Sequence, residues 1–192
     1  MAGIREQLFR FRSYTPIPFL IAMMVFAQPT VWSFIAGAVI AASGEGMRFW
    51  GVAYAGPLTR VTGGVGAPAL IVAGPFALVR NPLYVGNILL YFGVGIMANA
   101  LTPWLALGTV AYFVTQYAAI VWLEEEFLQK HFGARFDEYR KAVPRFVPRL
   151  SPWPEGKASG QEPDWKGAVR SERRTLQAIS LVGLMILVRW WI

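Results

Sequence analysis

Residues 81–123 read NPLYVGNILLYFGVGIMANALTPWLALGTVAYFVTQYAAIVWL, a run of 43 residues without one charge. A bilayer core takes about 20 helical residues. The stretch is therefore better read as two crossings and a turn than as one helix. The turn is legible at Asn99-Ala-Leu-Thr102-Pro103, since proline opens helices well and continues them badly. A second gap, Ser13 to Gly44, holds 32 uncharged residues and breaks at Gln28-Pro29-Thr30. Four spans follow, near Tyr14–Ala27, Pro29–Gly51, Pro82–Ala98 and Pro103–Leu123. The first is short for a crossing, which local thinning of the bilayer accommodates. A fifth apolar run, Thr175 to Val188, closes on Arg189-Trp190-Trp191-Ile192, residue types that anchor a span at the interface. The other reading of that run is a helix lying on the membrane. The expected fold is an all-α, polytopic membrane bundle of about five transmembrane helices in one domain.

Composition agrees. The 192 residues are 55% hydrophobic and 15% charged, against about 25% charged in soluble domains. Cysteine is absent, which excludes disulfides and thiolate metal sites, and a single histidine, His131, argues against a histidine metal site. No metal is expected. The net charge of +7 would point to nucleic acid in a soluble protein. In a chain this apolar it points instead to loops at an anionic cytoplasmic leaflet, so the membrane is the expected partner and nucleic acid is not. Arg5, Arg10 and Arg12 precede the first span, Arg48, Arg60 and Arg80 lie between the second and third, and eleven lysines and arginines lie between Leu123 and Thr175. The turns at Gln28 and Asn99 carry none. The positive-inside rule places the charged side in the cytoplasm. A secretory signal, with a basic start and an apolar run ending at Ala27, is the rival reading of the first span.

Val61–Val79 is uncharged but rich in glycine and proline. Irregular apolar backbone survives near a membrane when buried in protein or lining a cavity, so this stretch is expected to wall a pocket; a loose interfacial loop is the alternative. Ser151–Lys166, rich in proline, glycine and charge, reads as a linker, extending over 151–174 before an apolar helix at 175–192.

Three polar clusters end the spans. In Gly44-Glu45-Gly46-Met47-Arg48, at the end of the second span, the glycines permit close approach of a backbone or a ligand, and equally fit small-residue helix packing. Arg80-Asn81-Pro82-Leu83-Tyr84-Val85-Gly86-Asn87 places Asn81 near an N-cap, where free amides, the helix dipole and the arginine favour an anion. Tyr84 offers a ring face to a cation. Without a ligand the same cluster is a capped helix with a snorkelling arginine. Glu124-Glu125-Glu126 is out of keeping with a basic rim, and acids at a span's end need partners. Either a cationic or hydroxyl-rich ligand supplies them, or Arg48, Arg60 or Arg80 does. Beyond it, Leu128, Phe132, Phe136, Tyr139 and Val143 recur at helical spacing. They predict a cytoplasmic amphipathic helix on the membrane or over a pocket, broken near Gly133, with His131 on its surface.

The last two clusters resemble the signature of the integral-membrane methyltransferases related to isoprenylcysteine carboxyl methyltransferase and phosphatidylethanolamine N-methyltransferase. The matching residues are Gly74-Pro75-Phe76, then Arg80-Asn81-Pro82-Leu83-Tyr84-Val85-Gly86. Further on they are Glu124-Glu125 with Leu128, Phe132, Gly133, Phe136, Tyr139, Val143 and Pro144. The similarity covers roughly residues 44–148. It implies S-adenosylmethionine as methyl donor at the cytoplasmic face, with cofactor roles for Arg80, Asn81, Tyr84, Glu124 and Glu125, and for the pair Gly44 and Gly46. It implies a lipid-like acceptor entering from the bilayer. Asn81-Pro82-x-Tyr84 is similar to the phospholipid branch, which needs a base such as Glu125 to free an amine. Val143-Pro144-Arg145-Phe146 is similar to the carboxyl methyltransferase branch, in which Arg145 would hold the substrate carboxylate. Phosphatidylethanolamine is the first expected acceptor and a prenylated cysteine carboxylate the second. A membrane lipid or sterol reductase and a non-catalytic membrane subunit are the remaining alternatives.

Overall fold

A computed structural model of the chain describes residues 4–56 and 69–191. Among them every regular element is helical: α1 (Ile4–Phe11), α2 (Pro16–Val25), α3 (Val31–Ala55), α4 (Pro82–Ala98), α5 (Trp104–Phe132), α6 (Ala134–Ala142), α7 (Pro154–Ala158) and α8 (Trp165–Trp191), with a 3-10 turn at Gly74–Ala77. Arg60, the glycines 63, 64 and 66, and the first half of the expected pocket wall lie outside the described residues.

Local chemistry sets the boundaries. α2 opens on Pro16. α3 opens on a reciprocal cap in which Thr30 Oγ1 accepts from the Ser33 amide at 3.1 Å and Ser33 Oγ accepts from the Thr30 amide at 2.9 Å. α4 covers the expected third span, from Pro82 at its first turn to Asn99, which closes it in the left-handed conformation at φ 49°. The turns after α2 and α4 meet: the Gln28 amide donates to the Ala98 carbonyl and Asn99 Nδ2 to the Gln28 carbonyl, both at 2.9 Å. Both uncharged turns are thus at one end of the bundle.

α3 and α4 pack antiparallel with their backbones in contact. Glycines recur every seventh residue on each helix, at 37, 44 and 51 and at 86 and 93. A Cβ on Gly44 would lie 2.6 Å from both the Gly86 carbonyl oxygen and the Leu90 amide nitrogen. Only hydrogen fits there. Met23 of α2, Ala41, Val94, Met97 and Ile186 of α8 close the core beside this seam. A second core joins Phe9 of α1 to Phe113, Tyr117 and Ile120 of α5.

Several sequence expectations are corrected. Of the five expected spans, α5 is the one described helix both long and apolar enough to cross a membrane, while α2 and α4 are apolar but shorter. α3 carries Glu45 and Arg48 within its length, and α8 begins with a charged half. α5 does not stop at Leu123. It runs unbroken through the three glutamates to Phe132 and ends at Gly133, φ 52°. The span and half of the amphipathic segment are therefore one helix, because nothing between Leu123 and Gly133 breaks it. The face of Leu128, Phe132, Phe136, Tyr139 and Val143 packs on Leu70, Val72 and Trp153, over protein rather than on lipid. The linker reading of 151–174 fails as well. α8 starts at Trp165, where Asp164 Oδ1 accepts from the Gly167 amide at 2.8 Å and the Asp164 amide donates to the Ala53 carbonyl at 2.7 Å.

Candidate functional site

The charged end of the bundle encloses a cavity of about 680 Å³, within the range of small-molecule sites. Its walls come from α3, α4, α5, α6, α8, the α1–α2 turn and the segment 69–76. That segment, half of the expected pocket wall, does line the cavity through Leu70, Ile71 and Phe76. Gln161 holds it: Oε1 accepts from the Val72 and Ala73 amides at 3.0 and 3.1 Å, and Nε2 donates to the Leu70 carbonyl at 2.8 Å. One side chain so satisfies three backbone groups of an irregular buried segment. Tyr139 adds a fourth tie, its hydroxyl donating to the Phe76 carbonyl at 2.7 Å. Burial pushes the Tyr139 phenol up, so it stays protonated and a donor.

The first turn of α4 and the middle of α5 bring the two sequence motifs together. Tyr84 donates to Glu124 Oε1 at 2.8 Å, and its ring stacks on Tyr117 with centroids 4.7 Å apart. Both partners line the cavity. Arg80 meets Glu125 instead, with Nε and Nη2 donating to Oε1 at 3.0 and 2.9 Å. Its Nη1 donates to the carbonyls of Arg140, at 2.9 Å, and Val143. Arg145 reaches the same carboxylate, Nη2 to Oε2 at 2.5 Å and Nε to Oε1 at 3.2 Å. Glu125 is thus shared between two guanidiniums that tie the start of α4, α5 and the irregular segment after α6 into one rim.

In this structure the expected rim residues bond chiefly to one another. All three Arg80 nitrogens have partners within the protein. Asn81 stands at the N-cap position but makes no cap bond; its Nδ2 donates to the Arg145 carbonyl at 3.1 Å. Both Glu125 oxygens accept from an arginine. Arg145 pairs with Glu125. Gly44 is buried in the α3–α4 seam and Gly46 faces outward with nothing near it; neither lines the cavity. Packing, the second reading of that pair, accounts for Gly44. Glu126 and His131 are exposed, the imidazole stacked on Phe127.

Sequence reasoning singled out Glu45, Arg48 and Asn87 but missed Glu172, which joins them in a second polar cluster beside the cavity. Arg48 of α3 donates through Nη2 to Glu172 of α8 at 2.8 Å, through Nε to Glu45 at 3.2 Å and through Nη1 to Asn87 of α4. Glu172 is 1% exposed. For Glu172 a signal was present: it is the lone acid in Arg170-Ser-Glu172-Arg173-Arg174. It was also missed that α1 and its turn contribute Phe9, Arg12 and Ser13. The Arg12 guanidinium lies over the Phe9 ring at 3.9 Å.

Comparison with known proteins bears on this arrangement. The chain is 33% identical over 120 residues to the cobalt-zinc-cadmium resistance protein CzcN of Cupriavidus metallidurans, covering 62% of this chain and 51% of that protein. It is 37% identical over 82 residues to the nickel-cobalt-cadmium resistance protein NccN of Alcaligenes xylosoxydans xylosoxydans, covering 43% of this chain and 37% of that one. The chain thus aligns with about half the length of the first relative and less of the second. Residues 32–135 match the phospholipid methyltransferase family. That segment runs from the start of α3 into α6 and contains Arg48, Arg80, Tyr84, Asn87, Glu124 and Glu125, while Arg145 and α8 lie beyond it. With more than half of its length matched, and with the motifs at Arg80 and Glu124 brought together on one cavity wall, the chain belongs to the phospholipid methyltransferase family.

Proposed function

We propose that the chain is an S-adenosylmethionine-dependent methyltransferase of the membrane, acting on a lipid-like acceptor that enters the cavity from the bilayer. The observation that carries the reading is the Tyr84–Glu124 pair on the cavity wall, inside the segment matched to the family. The donor set fits the cofactor. Tyr84, Tyr117 and Tyr91 offer ring faces to a sulfonium. Glu124 offers a carboxylate to hydroxyl or ammonium donors. Arg80, Asn81, Glu125 and Arg145 keep the rim rigid around it. Bound S-adenosylmethionine supplies an electrophilic methyl group. The chain's own contribution is then orientation and exclusion of water, which can supply most of the rate of a displacement.

An amine acceptor, with phosphatidylethanolamine first, is favoured over a prenylcysteine carboxylate. Arg145, the arginine expected to hold a carboxylate, and its neighbour Arg80 already hold Glu125. The reading includes five membrane crossings with the charged end in the cytoplasm. The two relatives' resistance names do not conflict with it, because a membrane enzyme can serve resistance without holding the ion. Transfer of label from S-adenosylmethionine to a lipid extract, with the product identified by mass, tests the reaction. For an amine acceptor kcat/KM rises with pH as the amine loses its proton; for a carboxylate it is flat above about pH 5. A flat profile with a prenylcysteine substrate, and no transfer to phosphatidylethanolamine, moves the assignment to the carboxyl branch.

A further inference from the structure

The first half of α8 carries Lys166, Arg170, Arg173 and Arg174, all exposed, against the single acid Glu172. Glu172 turns inward to Arg48. Ahead of the helix, Asp164 accepts from the Gly167 amide and Glu162 is exposed. Among the described residues none of the four cations makes an ion pair. Arg174 lines the cavity, whereas Lys166, Arg170 and Arg173 do not. At 3.6 residues per turn those three fall within about 60° of arc, on the side away from the buried Ala168 and Ile186. Like charges at this spacing repel one another, and counter-charge from outside relieves the repulsion.

The same side continues along the helix as Leu181, Leu184 and Val188, all exposed. One outward face therefore changes from cationic to apolar partway along a single unbroken helix. On a helix that leaves a bilayer, such a change marks the edge of the hydrocarbon, and the cations stand at the height of the phosphates. The three span about 10 Å along the axis, which with the reach of their side chains covers the headgroup layer of one leaflet. We propose that this face of α8 is a docking surface for anionic phospholipid headgroups of the cytoplasmic leaflet, held by Lys166, Arg170 and Arg173. The lipid bound there is a ligand outside the cavity and not the acceptor. The proposal rests on the reading of α8 as a crossing that starts in the cytoplasm, and not on the reaction. An acidic protein fits the charge as well, but only a bilayer also accounts for the apolar continuation of the same face.

The test follows thermal unfolding of the full chain in dodecyl maltoside while dioleoylphosphatidylglycerol or dioleoylphosphatidylcholine is added. The two lipids share their tails and differ in headgroup charge. A basic residue near an anionic surface contributes a factor of about five. Wild type should respond to phosphatidylglycerol at a concentration at least tenfold lower, and the gap should shrink in about 0.5 M salt. Lys166→Gln, Arg170→Gln and Arg173→Gln together should lose the gap. Glutamine has nearly the helix propensity of lysine and arginine, so the helix is kept. A control that removes the same charge from exposed positions of α5 and α6, Lys130→Gln, Arg135→Gln and Lys141→Gln, should keep it. Wild type without a preference overturns the proposal. So does a triple α8 variant that keeps the preference, or a control that loses as much of it. A response to inorganic phosphate equal to that to phosphatidylglycerol, or a response to polyglutamate alone, assigns the face to a free anion or an acidic protein and overturns it too. Leu184→Cys in phosphatidylcholine nanodiscs reads the crossing separately. A thiol shielded from a water-soluble maleimide, with no lipid preference, removes the surface and leaves the crossing. A reactive thiol, with the preference present in wild type and lost in the triple variant, removes the crossing and leaves the surface.

Discussion

At one end of the bundle, the turns after α2 and α4 carry no charge and are joined by two hydrogen bonds between Gln28, Ala98 and Asn99. At the other end, Arg80, Glu125 and Arg145 form a rim, and Arg48, Glu45, Asn87 and Glu172 form a buried cluster one turn beneath it. The same two helices, α3 and α4, serve both ends. Towards the turns they touch backbone to backbone through Gly37 and Gly93; towards the site the contact at Gly44 and Gly86 gives way to Arg48 and Asn87. Close packing needs nothing but the absence of side chains, whereas the charged end depends on each ion finding its partner. The uncharged end should therefore fail through volume and the charged end through unpaired charge.

The largest effect is expected at the rim. Glu125→Ala strands Arg80, whose side chain is only 11% exposed, so screening by water is slight. A loss of about 3–5 kcal/mol of stability is expected, read from chemical unfolding in detergent. Glu125→Gln should lose less, and a variant as stable as wild type would show the rim to be ornamental. Next comes the seam. Gly93→Val drives a Cβ into the Ala41 backbone and should cost about 2–3 kcal/mol by overpacking. Gly183→Ala on α8, where nothing lies within 4 Å, serves as the neutral control. Third, Tyr84→Phe removes the donor to Glu124. It should weaken S-adenosylhomocysteine binding by about 1–2 kcal/mol in calorimetry; unchanged affinity would move the cofactor away from this wall. The smallest effect is at the turns. Asn99→Gly keeps the left-handed backbone and removes only the bond to Gln28, so about 0.5–1 kcal/mol should be lost.

The comparison of ends also fixes how orientation is tested. Cysteines introduced at Thr30 and Thr102, both exposed, should react with an impermeant reagent from outside the cell, and cysteines at Lys157 and Ala158 should not. Gly156 is unsuitable, because a Cβ there collides with the Val72 carbonyl. The reverse labelling would invert the bundle.

What the sequence determined by itself is local. Proline at 82 and the turn residues at 99 bounded α4, since a missing amide and a left-handed backbone act within one turn. The uncharged gaps located the apolar helices, and the motif spacing located Tyr84, Glu124 and Glu125. It stopped α5 nine residues early because a run of acids at the end of an apolar stretch reads as an interface, although a helix ends only where its backbone is broken, here at Gly133. Which charge meets which was decided by the tertiary structure alone. Glu125 lies 45 residues from Arg80 and Glu172 lies 124 residues from Arg48. Periodicity carries no information over such separations. Arg80, Arg145 and Arg48 were chemically equivalent candidates for any of the acids. Only the packing of α8 against α3, fixed by Asp164 on the Ala53 carbonyl and Ala168 beside Val52, put Glu172 rather than Glu125 on Arg48.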